Sequence, residues 1–170
     1  MFLLGLGSSL SSSFGDRFKN IDLAISYLEL YKIKIIRKSS FYETPSYPDI
    51  KNPKFINIVV EISTYLSPED LASILIFIEE KLERKRKKKN EPRTCDIDII
   101  DYDGKVMNFS YKSLIFKVPH EKLIYRNFVL FPLQEIAPNW KHPKTKDSID
   151  LLINKLSNED KKSILKIKKS

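Results

Sequence analysis

The segment Cys95-Asp96-Ile97-Asp98-Ile99-Ile100 most constrains the fold of this chain, because acidic and apolar residues alternate and then become wholly apolar. Alternation with a period of two residues is typical of a half-buried β-strand. On such a strand, Asp96 and Asp98 lie on one face with Cβ atoms roughly 7 Å apart, and the intervening apolar residues face the core. Two like charges on one face repel each other, so we expect a compensating partner. Mg²⁺ that shares its coordination shell with phosphate fits best.

A basic segment precedes this strand. Residues 84–89 read Arg-Lys-Arg-Lys-Lys-Lys, and Arg93 follows shortly. Cations beside two carboxylates indicate a polyphosphate site, in which the carboxylates hold metal and guanidinium groups neutralise phosphate oxygens. Basic runs are also typical of solvated surfaces and of nonspecific nucleic-acid binding, and an Asp-x-Asp strand can simply be an exposed face. The pattern alone leaves these interpretations open.

Length and composition limit the class of protein. A chain of 170 residues is most simply one domain, residues 1–170, with room for a proper core. The net charge of +8 favours anionic partners. The only cysteine, Cys95, excludes an internal disulfide and is expected to be a core residue rather than a nucleophile. The amino-terminal segment lacks a secretory pattern and no segment has the length of a membrane span, so we expect a soluble cytoplasmic protein.

The order of predicted elements up to residue 102 is β-α-β-β-α-β, with strands over 2–6, 33–42, 55–66 and 95–102 and helices over 16–31 and 67–84. Ser67-Pro68 predicts the start of the second helix. This order predicts an α+β, ferredoxin-like antiparallel sheet with helices on one face and the other face open for ligands. Asp103-Gly104 predicts a hairpin. A helix over 128–136 is followed, from residue 147, by an amphipathic helical tail with a frayed lysine-rich end.

Five different motifs occur in order through most of the chain. They are Tyr42-Glu43-Thr44-Pro45, Phe55-Ile56-Asn57, the segment 92–98, Pro119-His120 and the segment 126–138. Together they closely resemble 6-hydroxymethyl-7,8-dihydropterin pyrophosphokinase of folate synthesis over roughly residues 3–138, which leaves 139–170 as a helical C-terminal extension. The resemblance implies transfer of diphosphate from ATP to the pterin hydroxymethyl group, with two Mg²⁺ ions and AMP as product. It also implies a monomer whose partners are these small molecules, without nucleic acid or membrane.

The resemblance also implies the roles of individual residues. The catalytic residues would be Arg84, Arg93, Asp96 and Asp98, with Asp96 and Asp98 as the metal ligands. The ATP-binding residues would be Arg86, Lys87, Arg93, Ile99, His120 and Arg126. The pterin-binding residues would be Thr44, Pro45, Tyr47, Phe55, Asn57 and Phe128, in which the two phenylalanines stack on the pterin and Asn57 reads its edge.

The chain departs from the family pattern in several places. Asn90-Glu91 stands where family members commonly carry Trp-Gly in a mobile loop that closes over the pterin, so we predict weaker pterin stacking or a differently closed loop. Glu121 replaces the usual aromatic residue after the histidine. Glu79 is interpreted as a solvated helix carboxylate, and Trp140 and His142 as structural residues.

Two alternatives remain at this point. Ferredoxin-like sheets with basic loops also bind RNA, which the net charge of +8 allows. Asp96 and Asp98 on the binding face would, however, repel a phosphate backbone unless metal is bound. A catalytically impaired relative that retains the fold is the second alternative, although the intact arginine and aspartate pattern argues against it. Phe55 and Phe128, without the resemblance, would be interpreted as core residues.

Overall fold

The computed structural model describes residues 1–168. Its strands are β1 (Phe2–Ser8), β2 (Lys34–Lys38), β3 (Phe41–Thr44), β4 (Phe55–Ser63), β5 (Asp96–Tyr102), β6 (Met107–Tyr111), β7 (Leu114–Val118) and β8 (Leu165–Ile167). Its helices are α1 (Arg17–Leu30), α2 (Pro68–Lys81), α3 (Asn127–Ile136), α4 (Ile149–Asn154) and α5 (Asn158–Ser163), with a 3-10 turn over Leu123–Tyr125. Among these elements, no helix combines the length and apolar character that a membrane crossing requires.

The main sheet is antiparallel, with strand order β5-β1-β4-β3-β8 and with β2 also paired to β4. It contains the predicted β-α-β-β-α-β order, except that the predicted strand 33–42 is divided into β2 and β3, which pair with β4 one after the other. The α+β, ferredoxin-like prediction is therefore confirmed.

The predicted hairpin at Asp103-Gly104 is wrong. These residues form a turn, but β5 and β6 belong to different sheets. The hairpin pairs β6 with β7 instead, and its turn residues Lys112 and Ser113 both have positive φ, 46° and 62°. Two consecutive positive φ angles suit a tight hairpin turn, although neither residue is a typical turn signal.

Side-chain caps begin both long helices where the chain leaves a strand or loop. Ser67 Oγ accepts a hydrogen bond of 3.1 Å from Asp70 N, and Pro68 occupies the first helical position, as predicted. Asp16 Oδ1 accepts a bond of 2.9 Å from Lys19 N at the start of α1. These caps fix the entry of both helices onto the same face of the sheet.

Two hydrophobic clusters lie on opposite faces of the sheet. The first packs α1 and α2 against side chains that include Leu4, Leu6, Ile97 and Ile99, and the buried Cys95 belongs to it as predicted. The second packs α3 and α4 against Leu3, Val59 and Ile100. The face expected to be open is therefore covered in part by α3 and α4.

The C-terminal extension is not the single amphipathic helix that its pattern predicts. Ser148 Oγ accepts a hydrogen bond from Leu151 N, and Ser157 Oγ accepts one from Asp160 N, so each serine caps a new short helix. The predicted helix is therefore divided into α4 and α5. The segment ends in β8, which pairs with β3. The end of the predicted lysine-rich tail, residues 169 and 170, lies outside the described residues.

Trp140 and His142 have the structural role expected of them. Trp140 Nε1 donates a hydrogen bond of 2.7 Å to the buried Asp101 carboxylate, and the His142 ring packs edge-on against the indole. This contact fastens the start of the extension to β5.

Candidate active site

The register of the neighbouring strands β5, β1 and β4 places the polar residues of the site in one row. Gly7 of β1 lies opposite Asp96 on one side and Asn57 on the other, and Gly5 lies opposite Asp98. Directly opposed residues share a face of the sheet, here the face that carries the second hydrophobic cluster. A Cβ at Gly7 would lie 2.8 Å from Asn57 Oδ1. Glycine therefore keeps the sheet surface open between the aspartates and Asn57.

Three arginines contact the two aspartates. Arg84 Nη1 donates to Asp96 Oδ1 at 2.7 Å, and Arg93 Nη2 lies 3.0 Å from Asp96 Oδ2. Arg126 Nη1 donates to Asp98 Oδ2 at 3.1 Å. The compensation that the paired carboxylates require is thus available from guanidinium groups of the same chain as well as from a metal ion.

Glu79 was expected to be solvated, and this expectation is wrong. Only 2% of the residue is exposed. Its carboxylate accepts bonds of 2.8 Å from both Arg84 Nη1 and the Ile97 amide, and it also pairs with Arg86. Glu79 therefore joins the end of α2 to the basic loop and to β5. Helical spacing from the buried Ala72 and Ile76 places Glu79 on the core face, which is the sequence signal that could have identified it.

Glu79, Asp96 and Asp98 have different pKa values because their surroundings differ. Burial, followed by the charge of Asp96, raises the pKa of Glu79 to about 7. The same two causes raise the pKa of Asp98 to about 6. Burial also acts to raise the pKa of Asp96, but the Arg93 and Arg84 guanidinium groups outweigh it and hold that pKa below its usual range. Asp96 is thus the permanent anion of the group.

A cleft of about 340 Å³ opens beside this cluster. The carboxylates and arginines of the cluster line it, together with residues of the basic loop, residues of β7 and His120. Burial, followed by the charge of Arg126, lowers the pKa of His120 to about 4, so its imidazole is neutral at physiological pH. The lining of the cleft thus combines many cations, one of them Lys117 of β7, with the neutral His120 and the apolar residues of β7.

The structure brings most of the predicted ATP-binding residues to this cleft. Of the predicted ATP-binding residues, those that line the cleft are Arg86, Arg93, Ile99, His120 and Arg126. The Ile99 side chain packs in the α1 and α2 core, so its main chain provides its part of the lining. Lys87 is not among the lining residues, whereas its neighbours Lys85, Lys88 and Lys89 are.

The predicted pterin-binding residues lie on the adjoining part of the sheet. Asn57 Nδ2 donates to Thr44 Oγ1 at 3.2 Å, which aligns β4 with β3 at this point. Phe55 and Phe128 are both half-buried. Tyr47 is 85% exposed and Pro45 is also exposed, so neither side chain is packed against the protein.

Two arginines link the aspartates to the two phenylalanines. The Arg93 guanidinium carbon lies 5.3 Å from the centre of the Phe55 ring, and that of Arg126 lies 5.6 Å from the centre of the Phe128 ring. Each arginine therefore contacts one aspartate and one aromatic ring. The two phenylalanine rings therefore lie next to the cleft.

The donor set agrees with a magnesium ion that shares its coordination with phosphate. No group of three His, Cys, Asp or Glu side chains suited to a metal occurs in residues 1–168, so a metal ion at Asp96 and Asp98 would need further ligands from substrate or water. Mg²⁺ is commonly held by one or two carboxylates together with substrate phosphates. Within the same described range, the buried Arg93 Nε has no hydrogen-bond partner, which is the arrangement expected of a group reserved for an anionic ligand.

The loop that departs from the family pattern has a defined turn. Asn90 has a positive φ of 61°, and Lys88 N donates to Glu91 Oε2 at 3.0 Å. Asparagine tolerates this left-handed conformation better than a large aromatic residue does. Glu121, which stands in place of the usual aromatic residue, is exposed and pairs with Lys117 at 2.8 Å. It is not among the residues that line the cleft.

Fold and site together have the features of an α+β protein of the phosphoryl-transfer class, in which two carboxylates and three guanidinium groups meet at one face of a ferredoxin-like sheet. The model of the family 7,8-dihydro-6-hydroxymethylpterin-pyrophosphokinase (HPPK) matches residues 3–138. The chain belongs to this family.

Individual relatives agree with this assignment. The chain is 35% identical over 155 residues to the 2-amino-4-hydroxy-6-hydroxymethyldihydropteridine pyrophosphokinase of Synechocystis, covering 91% of this chain and 75% of that one. It is 36% identical over 157 residues to the folic acid synthesis protein fol1 of Pneumocystis carinii, covering 92% of this chain but only 21% of that longer protein.

A solved structure of Plasmodium falciparum HPPK-DHPS (A437G, with pteroate) aligns with 98% of this chain and 46% of its own chain at a TM-score of 0.76. Its sequence identity is 15%, so this likeness shows the fold alone. The family and the curated names support pyrophosphokinase activity in folate biosynthesis, and they do not favour the RNA-binding alternative.

Proposed function

We propose that this chain transfers the β,γ-diphosphate of ATP to the hydroxymethyl oxygen of 6-hydroxymethyl-7,8-dihydropterin. The oxygen attacks the β-phosphorus, the bond from that phosphorus to the α,β-bridging oxygen breaks, AMP leaves, and the hydroxyl proton is released. One observation carries the proposal: Asp96 and Asp98 share a sheet face at a cleft where three guanidinium groups contact them.

Asp96 and Asp98 are the proposed ligands of two Mg²⁺ ions. When bound, these ions would lower the pKa of the attacking hydroxyl and offset charge on the phosphates. The low pKa of Asp96 keeps one carboxylate ionised over the whole physiological range. The half-exposed position of both side chains leaves their oxygens accessible from the cleft.

The proposed phosphate clamp consists of Arg84 and Arg93. Both lie within 3.0 Å of Asp96, and both line the cleft, which supports them as donors to phosphate oxygens bound there. A planar guanidinium group contacts two phosphate oxygens at once and stabilises charge that accumulates during transfer. Arg126 and neutral His120 complete the nucleotide site, and Arg86 and Lys87 assist the approach of ATP.

The proposed pterin pocket lies between the two phenylalanine rings. Phe55 and Phe128 offer aromatic faces to the flat pterin, and the Asn57 side chain reads its polar edge. Main-chain groups between Thr44 and Tyr47 complete the pocket, because the side chains of Pro45 and Tyr47 are exposed. In this proposal the pterin lies beside the aspartates, because Asn57 shares their sheet face.

We further propose that residues 1–170 act as one domain, as a monomer, in the cytoplasm. Size-exclusion chromatography with light scattering tests the monomer, for which the mass of one chain is 19.9 kDa. A mass of twice that value would contradict it.

The role of the aspartates is tested by Asp96→Asn and Asp98→Asn, with Asp103→Asn as the matched control. Asp103 lies just beyond the same strand and is exposed. We expect both site variants to lose pterin-dependent AMP formation by about a thousandfold or more while they remain folded. Full activity in either site variant would overturn the metal assignment, whereas the control should keep wild-type activity.

A further inference from the structure

The C-terminal extension returns to the site from outside the region that the family model matches, which ends at residue 138. Its last strand, β8, pairs with β3, and Lys166 lies opposite Tyr42. The preceding helix, α5, contacts the start of α3. The extension therefore touches two elements that carry proposed pterin-binding residues, Thr44 on β3 and Phe128 on α3.

The contact with α3 is made through Asn127. This residue is 8% exposed, and its side-chain amide donates to Asp160 O at 2.7 Å and to Ser163 Oγ at 3.1 Å. Asn127 stands between Arg126 and Phe128 in the chain. Both amide hydrogens are thus used to join the first turn of α3 to the extension, at the point where two site residues emerge.

The start of α3 lacks a side-chain cap of its own. The residue at its N-cap position, Arg126, makes no side-chain cap, and its guanidinium group contacts Asp98 instead. A helix start without a side-chain cap is prone to fray. The bonds from Asn127 to α5 supply an external anchor in place of the cap.

A second contact fixes the other end of the helix. Glu135 accepts bonds from Tyr42 Oη at 2.6 Å and from Ser40 N at 3.0 Å, and Lys166 Nζ of β8 lies 3.4 Å from the same carboxylate. The α3 helix is therefore held at its start by α5 and at its end by β3 together with β8.

We infer that the C-terminal extension, through Asn127, is a positioning device that holds Phe128 and Arg126 in place for the pterin and the nucleotide. The inference rests on the proposed function. Asn127 touches no proposed substrate atom, so it acts through its two neighbours. Preorganised side chains bind substrate without an ordering cost, and loss of the anchor should therefore weaken substrate binding first.

The test compares the full chain carrying Asn127→Ala with the wild type and with Lys161→Ala. Lys161 lies on the same helix, α5, and its Nζ donates to Asn154 O, so its loss removes a bond of the extension without touching α3. We expect the KM for the pterin to rise roughly tenfold in Asn127→Ala, with kcat within about twofold of wild type, as for the loss of buried hydrogen bonds. The Lys161→Ala variant should match the wild type.

A merely structural role would lower the amount of folded enzyme, so kcat would fall while KM stayed constant, and that result would overturn the inference. If Asn127→Ala does not fold, Ser163→Ala removes one of the two acceptors and should show the same KM change at smaller size. An unchanged KM in that variant would also overturn the inference.

Hydrogen exchange separates this inference from the proposed function. We expect the amides of residues 128–131 to exchange faster in Asn127→Ala, while those of α1 and α2 do not change. Unchanged exchange in α3 would overturn the anchor whatever the activity. A wild type that forms no pterin-dependent AMP, yet shows this change in exchange, would contradict the proposed function and leave the anchor of α3 in place.

Discussion

Glu79 accepts a hydrogen bond of 2.8 Å from Arg84 Nη1, and the same nitrogen donates to Asp96 at 2.7 Å. The guanidinium group of a proposed phosphate clamp is thus held between a buried carboxylate and a proposed metal ligand. Glu79 also accepts a bond from the Ile97 amide, next to Asp96 in the strand. One buried side chain therefore sets the position of the clamp relative to the aspartates.

Neutralising Glu79 should weaken ATP binding. Glu79→Gln keeps the size of the side chain but removes the charge that orients Arg84 and Arg86, so we expect the KM for ATP to rise roughly tenfold, as for loss of a charge-assisted bond. Steady-state kinetics with ATP as the varied substrate measures this. The exposed neighbour on the same helix, Glu80→Gln, is the control and should behave as wild type. An unchanged KM in Glu79→Gln would contradict the positioning role.

Glu79→Gln should also raise the stability of the protein at neutral pH, although it weakens ATP binding. The folded pKa of Glu79 is raised from 4.5 to about 7, chiefly by burial. A group whose folded pKa is raised stabilises the protein fully below its unfolded pKa, and this stabilisation is lost as the pH rises through the folded pKa. We therefore expect the free energy of unfolding of the wild type to fall relative to Glu79→Gln as the pH rises from 4.5 to about 7. Urea denaturation of both proteins across this range measures it, and a pH-independent difference would contradict the prediction.

Magnesium affinity should depend on the protonation of Asp98. Its pKa is raised to about 6 by burial and by Asp96, and only the ionised carboxylate is a good ligand. We expect the Mg²⁺-dependent affinity for a non-hydrolysable ATP analogue to fall roughly tenfold as the pH drops from about 7 to about 5. Calorimetric titration measures this affinity. Asp98→Asn should retain only the dependence that arises from protonation of the nucleotide itself, and an equal pH dependence in both proteins would rule out Asp98 as the cause.

The loop that carries Asn90-Glu91 in place of the family's Trp-Gly should limit the affinity for the pterin. Restoring the family pair with Asn90→Trp and Glu91→Gly together supplies an apolar lid and gives the loop a flexible glycine to accommodate it. Trp alone would be strained at the positive φ of Asn90. We expect the dissociation constant for the pterin to fall about fivefold in the double variant, which is the size of one aromatic contact. Fluorescence titration measures this, with Glu91→Gly alone as the control. Equal affinities would show that the loop does not limit pterin binding.

Local patterns in the sequence predicted the elements whose structure depends mainly on their own residues and caps. The alternation around Asp96 and Asp98 identified β5 and the face of its carboxylates, and Ser67-Pro68 located the start of α2. These two features depend on periodicity and caps, which are visible in a single sequence. The resemblance to the family, in turn, implied that Arg84, Arg93, Asp96 and Asp98 share one site, and the structure places them at one cleft.

Features set by distant contacts were not predictable in this way. Helical spacing indicates that Glu79 lies on the core face of α2, but its pairing with Arg86 of the basic loop and with the Ile97 amide of β5 depends on contacts distant in the sequence. The extension forms β8 because β3 offers a free edge far away in the sequence. The hairpin turns at Lys112 and Ser113, which carry no strong turn signal, because β6 and β7 pair with each other.

Transfer of diphosphate in a single step is the central claim, and isotope labelling tests it most directly. ATP labelled at the β-phosphate, and separately at the γ-phosphate, is incubated with the protein, Mg²⁺ and 6-hydroxymethyl-7,8-dihydropterin. We predict that both labels move to the pterin, with one AMP formed per labelled pterin and no AMP without the pterin. Formation of ADP with transfer of the γ label alone, or AMP release that does not depend on the pterin, would contradict the account.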